Sequence, residues 1–187
     1  IKMLTFKHTS DATSVTNHTI EIKTRDSNSE NSDKISDISG LNFIDIQTVS
    51  IVLDNGIGFK NSKDISGEDL KKITISGSGD FDMTGRSITG GQFSTVELDG
   101  SLSSGKTTIK LDSAINGLSN IKTGTSGDVI KIDGLSDDSA GFVLNTGKGN
   151  DEIQVTTSAD GLQAKISIDG GDGEDKLTLD QGVDLGN

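Results

Sequence analysis

The feature that most constrains this chain is a recurrence of paired apolar residues about every 23 positions. One series runs Leu53, Ile75, Leu98, Ile121, Leu144, Ile168, in steps of 22 to 24 residues. Two residues earlier a parallel series runs Ile51, Ile73, Val96, a polar gap at Ser119, then Phe142 and Ile166. Half a repeat away lies a second ladder, Ile109, Ile132, Val155 and Leu179, with Ile130, Ile153 and Leu177 as its inner partners. A fixed period of 20–50 residues marks an architecture of stacked repeats, because one supersecondary unit cannot bury its apolar face alone. Two short alternating strands per repeat mean that each coil runs out and back. The expected fold is all-β, a parallel β-solenoid with coils of about 23 residues and two strands per coil. Leu98, Leu144, Ile153, Ile168 and Leu177 are expected to face inward.

Composition agrees. Only 30% of residues are apolar and the aromatics are six phenylalanines, lean for a compact globule but adequate where each coil buries one thin stripe. The alternation of ITI at 73–75, VEL at 96–98 and IQV at 153–155 argues against disorder. Proline is absent, as suits strands paired on both sides. Cysteine is absent too, which excludes disulfides and thiol chemistry. No apolar run approaches the ~18 residues of a membrane-spanning helix, so membrane insertion is not expected. The chain opens Ile1-Lys2-Met3-Leu4-Thr5 without a basic start or an apolar stretch, so no signal peptide is read there. It reads as a piece of a longer protein whose targeting signals lie elsewhere.

Residues 1–48 do not keep the register. Thr5-Phe6 and Ile20-Glu21-Ile22 read as strands, and the polar run from Arg25 to Ser39 as a loop. The expected division is therefore 1–48, an N-terminal β cap or the end of a preceding domain, and 49–187, the solenoid. Ser66–Lys71 is the one stretch with a turn of helix in its pattern.

The net charge is −12, and residues 73–187 hold 18 acids against 8 bases. Such a surface repels nucleic acid and anionic lipid and attracts cations. Position sharpens this. Seven residues beyond ladder members Ile75, Ile121, Leu144 and Ile168 stand Asp82, Asp128, Asp151 and Asp175. Gly170-Gly171-Asp172-Gly173-Glu174-Asp175-Lys176-Leu177 fits G-G-x-G-x-D-x-U-x in full. Thr146-Gly147-Lys148-Gly149-Asn150-Asp151-Glu152-Ile153 lacks only the first glycine, and Thr123–Ile130 is degenerate. Ca²⁺ takes six to eight oxygens at roughly 2.3–2.6 Å. Glycines allow the sharp turn that aims carbonyls inward, and stacked coils bring two such turns about 4.8 Å apart. Calcium is expected between the 145–151 and 169–175 turns, with Asp151, Asp175, Asp172, Asp169, Gly147, Gly149, Gly171 and Gly173 as candidate site residues. Asp128 and Asp82 mark further candidate turns, and Asp80 is a rival to Asp82.

These nonapeptides resemble the calcium-binding β-roll of RTX proteins. The wider pattern is similar to RTX-related bacterial surface-layer proteins of the Campylobacter and Caulobacter surface-array type, with stretches such as Gly40-Leu-Asn-Phe-Ile-Asp-Ile-Gln-Thr-Val-Ser-Ile51 and Gly117-Leu-Ser-Asn-Ile-Lys-Thr. The resemblance covers roughly residues 40–187. It implies type I secretion, a place on the cell surface, a structural role with copies of itself as partners in a lattice, and cell-surface polysaccharide contacts through parts outside this segment. The alternatives of the same lineage are the β-roll of a secreted protease or lipase, and an adhesin. The motifs here lie 24 residues apart rather than the nine of tandem RTX repeats, so calcium sites should be few.

Enzyme readings find no support in the sequence. Gly100-Ser-Leu-Ser-Ser-Gly-Lys106-Thr107 fits the phosphate-loop pattern. That mechanism needs a helix directly after it, and Thr107–Asp112 alternates as a strand, so no nucleotide is expected. His8 and His18 both fall in the irregular N-terminal part and read as solvated or structural, and Asp137-Asp138 reads as a loop. Nothing assembles a nucleophile, base and orienting group.

Overall fold

The computed structural model describes residues 4–7, 19–24, 36–38, 40–53, 58–61, 64–84, 87–90, 96–111, 118–135, 142–157 and 166–179. His8, His18 and Asp137-Asp138 lie outside them. The described residues form strands and turns with no helix, and every strand pairing is parallel.

In chain order the strands are β1 (Leu4–Lys7), β2 (Thr19–Thr24) and β3 (Ser36–Ile38), then β4 (Leu41–Ile44), β5 (Thr48–Leu53) and β6 (Phe59–Asn61). There follow β7 (Ile65–Gly67), β8 (Lys72–Gly77), β9 (Phe81–Thr84), β10 (Ile88–Thr89), β11 (Val96–Ser103) and β12 (Thr107–Leu111). The last are β13 (Leu118–Lys122), β14 (Val129–Leu135), β15 (Val143–Asn145), β16 (Glu152–Thr157), β17 (Ser167–Asp169) and β18 (Lys176–Leu179). A first long sheet stacks β2-β5-β8-β11-β13-β15-β17 and a second stacks β3-β6-β9-β12-β14-β16-β18, seven strands in each. A third, short sheet stacks β1-β4-β7-β10. The molecule is a parallel β-solenoid, with two long faces throughout and a third face over its N-terminal coils.

The alternating sequence builds these faces directly. In β5 and β8 every second residue is buried, Val49, Ile51 and Leu53 in one and Ile73 and Ile75 in the other. Period two sends alternate side chains to opposite faces, and stacking lays each inward row on the next. The corner between β4 and β5 turns through Asp45 at φ 58°, a left-handed conformation that aspartate tolerates. Ser66–Lys71 forms the end of β7 and a turn closed by the Leu70 amide donating to Gly67 O at 3.2 Å, with Leu70 buried behind it.

The register keeps the expected ladder from Leu98 onward, with Leu98 on Ile121, Ile121 on Leu144, Leu144 on Ile168, Ile153 on Leu177 and Val155 on Leu179, and departs from it elsewhere. Ile51 faces Ile75 and Leu53 faces Gly77, while Leu98 faces Ile73 and Ile109 faces Ile130. Each slip amounts to two residues, so the inward set stays inward. Strand β11 bulges between Val96 and Glu97 and between Asp99 and Leu102, and β14 is irregular between Ile132 and Leu135. Leu102 stands on the second bulge of β11 and is 80% exposed. The described strands of residues 1–48 stack on the same sheets: Leu4 faces Leu41, Ile22 faces Ile51, and Ser36 faces Phe59.

Leu98, Leu144 and Ile153 are buried as expected. Ile168 is only partly buried and Leu177 is 44% exposed, contrary to expectation. Both sit on β17 and β18, the outermost described rung, so their side chains have a packed neighbour on one side only.

Candidate metal centre

Among the described residues the two long sheets are joined by short turns: 78–80, 104–106, 123–128, 146–151 and 170–175. These turns stack as regularly as the strands. Ser104 N donates to Gly77 O at 2.8 Å, Thr125 N to Ser103 O at 3.1 Å, Lys148 N to Gly124 O at 2.9 Å and Asp172 N to Gly147 O at 2.9 Å. Gly147 and Gly171 hold φ of 83° and 79°, where a side chain is strained. A Cβ on Gly171 would also run into Gly147 O. The glycines of the motif are thus required both for the bend and for the close approach of one turn to the next.

The residue at the entry to each strand of the second long sheet, from β6 onward, forms a column along its edge. Register places Phe59, Phe81 and Thr107 in one line, and Asp128, Asp151 and Asp175 continue it one position ahead of Val129, Glu152 and Lys176. At the N-terminal end the column is aromatic, with Phe59 and Phe81 stacked at 5.6 Å and 1°. At the C-terminal end it is acidic. Thr107 N donates to Asp128 Oδ1 at 2.6 Å, Asp128 N to Asp151 Oδ1 at 2.7 Å, and Asp151 N to Asp175 Oδ1 at 3.0 Å. Each carboxylate caps the corner amide of the coil before it.

One oxygen of each carboxylate is therefore committed. The other is not. Asp128 and Asp151 are 1% and 2% exposed, and Asp128 Oδ2, Asp151 Oδ2 and Thr107 Oγ1 are buried without a hydrogen-bond partner. The neighbouring hydroxyls are engaged elsewhere: Thr123 Oγ1 donates to Thr146 O at 2.8 Å and Thr146 Oγ1 to Gly170 O at 2.9 Å. A buried, unpartnered carboxylate oxygen is costly. Desolvation, reinforced by the Asp151 charge and opposed by the nearby Thr123 hydroxyl, the Thr107 N–H bond and the nearby Gly124 amide, pushes the Asp128 carboxyl up to about 6. Burial first, and the Asp175 charge after it, raise Asp151 as well. Two such oxygens on adjacent coils invite a proton or a cation.

Not all the sequence candidates converge there. Asp175 joins the column but is exposed. Asp172 faces solvent and pairs with Lys148 Nζ at 3.1 Å. Asp169 accepts from Gly171 N at 3.0 Å and from Asn145 Nδ2 at 2.9 Å, pinning the start of the turn. Asp82 lies on β9 pointing outward, 4.0 Å from Lys60 Nζ. Asp80 Oδ1 accepts from Lys106 N at 2.8 Å. The unpartnered oxygens thus lie between the 123–128 and 146–151 turns, one coil before the pair of turns with the fullest motif. Among the described residues no three carboxylate or imidazole groups converge on one point. A cation at this place would take Asp128 and Asp151 and draw its remaining oxygens from turn carbonyls and water. An all-oxygen set suits Ca²⁺ rather than a softer metal. Sequence reasoning missed Thr107, Thr123 and Thr146, which line the column's wall; their only signal was a hydroxyl at the turn position in successive coils. The phosphate-loop pattern at Gly100–Thr107 occupies the end of β11, a turn and the start of β12, so a strand follows it.

No family model, curated protein or solved structure matches the chain.

Proposed function

We propose that this chain is a structural, calcium-binding wall segment of an exported bacterial surface layer, with copies of itself as neighbours. The observation that carries the calcium part is the pair of buried, unpartnered oxygens of Asp128 and Asp151. A divalent cation would neutralise both carboxylates and would tie adjacent coils together. Their burial makes the cation a folding element rather than a surface ornament. The structural role is supported by a parallel stack with a continuous thin core, a form that presents long regular faces. The surface-layer assignment rests on the resemblance of the nonapeptides at 146–154 and 170–178.

Calorimetric titration of the whole chain is the first test. Ca²⁺ should bind and raise the thermal stability of the chain, and Mg²⁺ should substitute poorly because it resists dehydration. Asp128→Asn with Asp151→Asn should abolish binding. Absence of calcium binding by the wild type overturns the metal reading. Electron microscopy with and without Ca²⁺ tests the layer: ordered sheets are expected, and a monodisperse protein at high concentration with hydrolase activity would overturn it.

A further inference from the structure

The outer face of the second long sheet carries a small groove of about 240 Å³, lined by Lys110, Val129, Ile130, Lys131, Glu152 and Gln154. The parallel register explains it. Lys110 faces Lys131 and Lys131 faces Gln154 along one row, while Val129 faces Glu152 along the next. Val129 and its cross-strand neighbour Thr108 are short beside Lys110, Lys131 and Glu152, so the face dips there. Two like charges directly opposite on adjacent strands are unfavourable. Lys131 has Asp133 at 3.7 Å, and among the described residues no carboxylate pairs with Lys110. This pair of ammonium groups therefore stands out on a chain of net charge −12.

We propose that the groove binds a sugar acid. The carboxylate would lie between the Lys110 and Lys131 ammonium groups and relieve their repulsion. The ring would rest its C–H face on Val129, and Glu152 and Gln154 would take its hydroxyls. Glu152 is paired with Lys176 at 3.6 Å, and its oxygens would accept from hydroxyl donors. The volume is below the ~300–1,000 Å³ of sites for larger ligands and suits a single ring. Lysines are point charges without the fork that selects planar phosphate or carboxylate pairs, so selectivity comes from the hydroxyl-binding side.

The test is an isotope-edited NMR titration of the whole chain with glucuronate, glucose, inorganic sulfate and a short oligoglucuronide, run with and without calcium. Glucuronate should shift the amides of Lys110, Val129, Lys131 and Gln154, weakly at high salt and more at low salt. Glucose should not. The oligomer binding as well as the free acid points to a polymer source, and the free acid alone to a soluble one; both support the site. Lys110→Gln with Lys131→Gln should weaken binding roughly tenfold, with core amides unshifted because both side chains face outward. The proposal is overturned if glucose or sulfate shifts the same amides equally, if shifts need calcium, if the double variant binds unchanged, or if salt has no effect.

Discussion

Asp151 divides its work between two oxygens, and the division makes its substitutions informative. Oδ1 accepts from the Asp128 amide, and an asparagine retains that bond. Oδ2 is the buried oxygen without a partner, and an amide nitrogen there supplies no charge for a cation. Asp151→Asn should therefore leave the calcium-free protein folded and remove the calcium response. At free calcium of a hundred times its dissociation constant, the wild type should gain about 2.7 kcal/mol, read as a shift in denaturation midpoint; the variant should gain little. The raised carboxyl of Asp128 sets a pH signature. Its folded pKa of about 6 stands above the ordinary 3.8. Its contribution to stability is thus fully present below about 3.8 and is lost as pH rises through about 6. Thermal melts of calcium-free protein should fall across that window, and saturating calcium should flatten the fall, since the cation then occupies the proton's place.

At the scale of the element, strand faces were legible throughout the described coils, and partners were legible from Leu98 onward but not between β5, β8 and β11 or between β12 and β14. Period two alone identifies the inward residues, and a slip of two leaves that set unchanged. Hence Leu98 and Leu144 could be placed in the core, and Leu144 between Ile121 and Ile168 as spaced, while the partner of Leu98 in β8 is Ile73 rather than Ile75. The bulges of β11 carry no sequence mark beyond Gly100. The third face was missed because β4, β7 and β10 are two to four residues long, too short for a periodic signal. The turns were legible through their glycines, yet which acid turned inward depended on the register of the column. Two predictions belong here. Gly171→Ala places a side chain at φ 79° against the carbonyl of the preceding turn, and should cost more than the ~1 kcal/mol typical of a left-handed residue alone, measured by denaturant unfolding. Leu144→Ala should cost about 2–5 kcal/mol, whereas Leu177→Ala should cost much less, because Leu177 is 44% exposed. Equal costs would mean that the outer rung is covered in solution.

For the whole molecule, the core narrows along the axis. The N-terminal coils enclose Phe43, Phe59 and Phe81 between three sheets. The described coils beyond β10 have two sheets and an acidic column. Chelation of calcium should therefore raise hydrogen exchange first in β13 to β18 and last in β5 and β8; uniform exchange across the sheets would contradict this. The capping pattern has a consequence for how such a chain changes over generations. Each carboxylate grips a main-chain N–H, a group that every residue except proline offers, and it ignores the side chain attached. The joint between coils is consequently indifferent to which coil it meets. Whole coils can be duplicated, deleted or exchanged without redesigning the seam, provided the newcomer brings an aspartate at its corner and no proline beneath the next one.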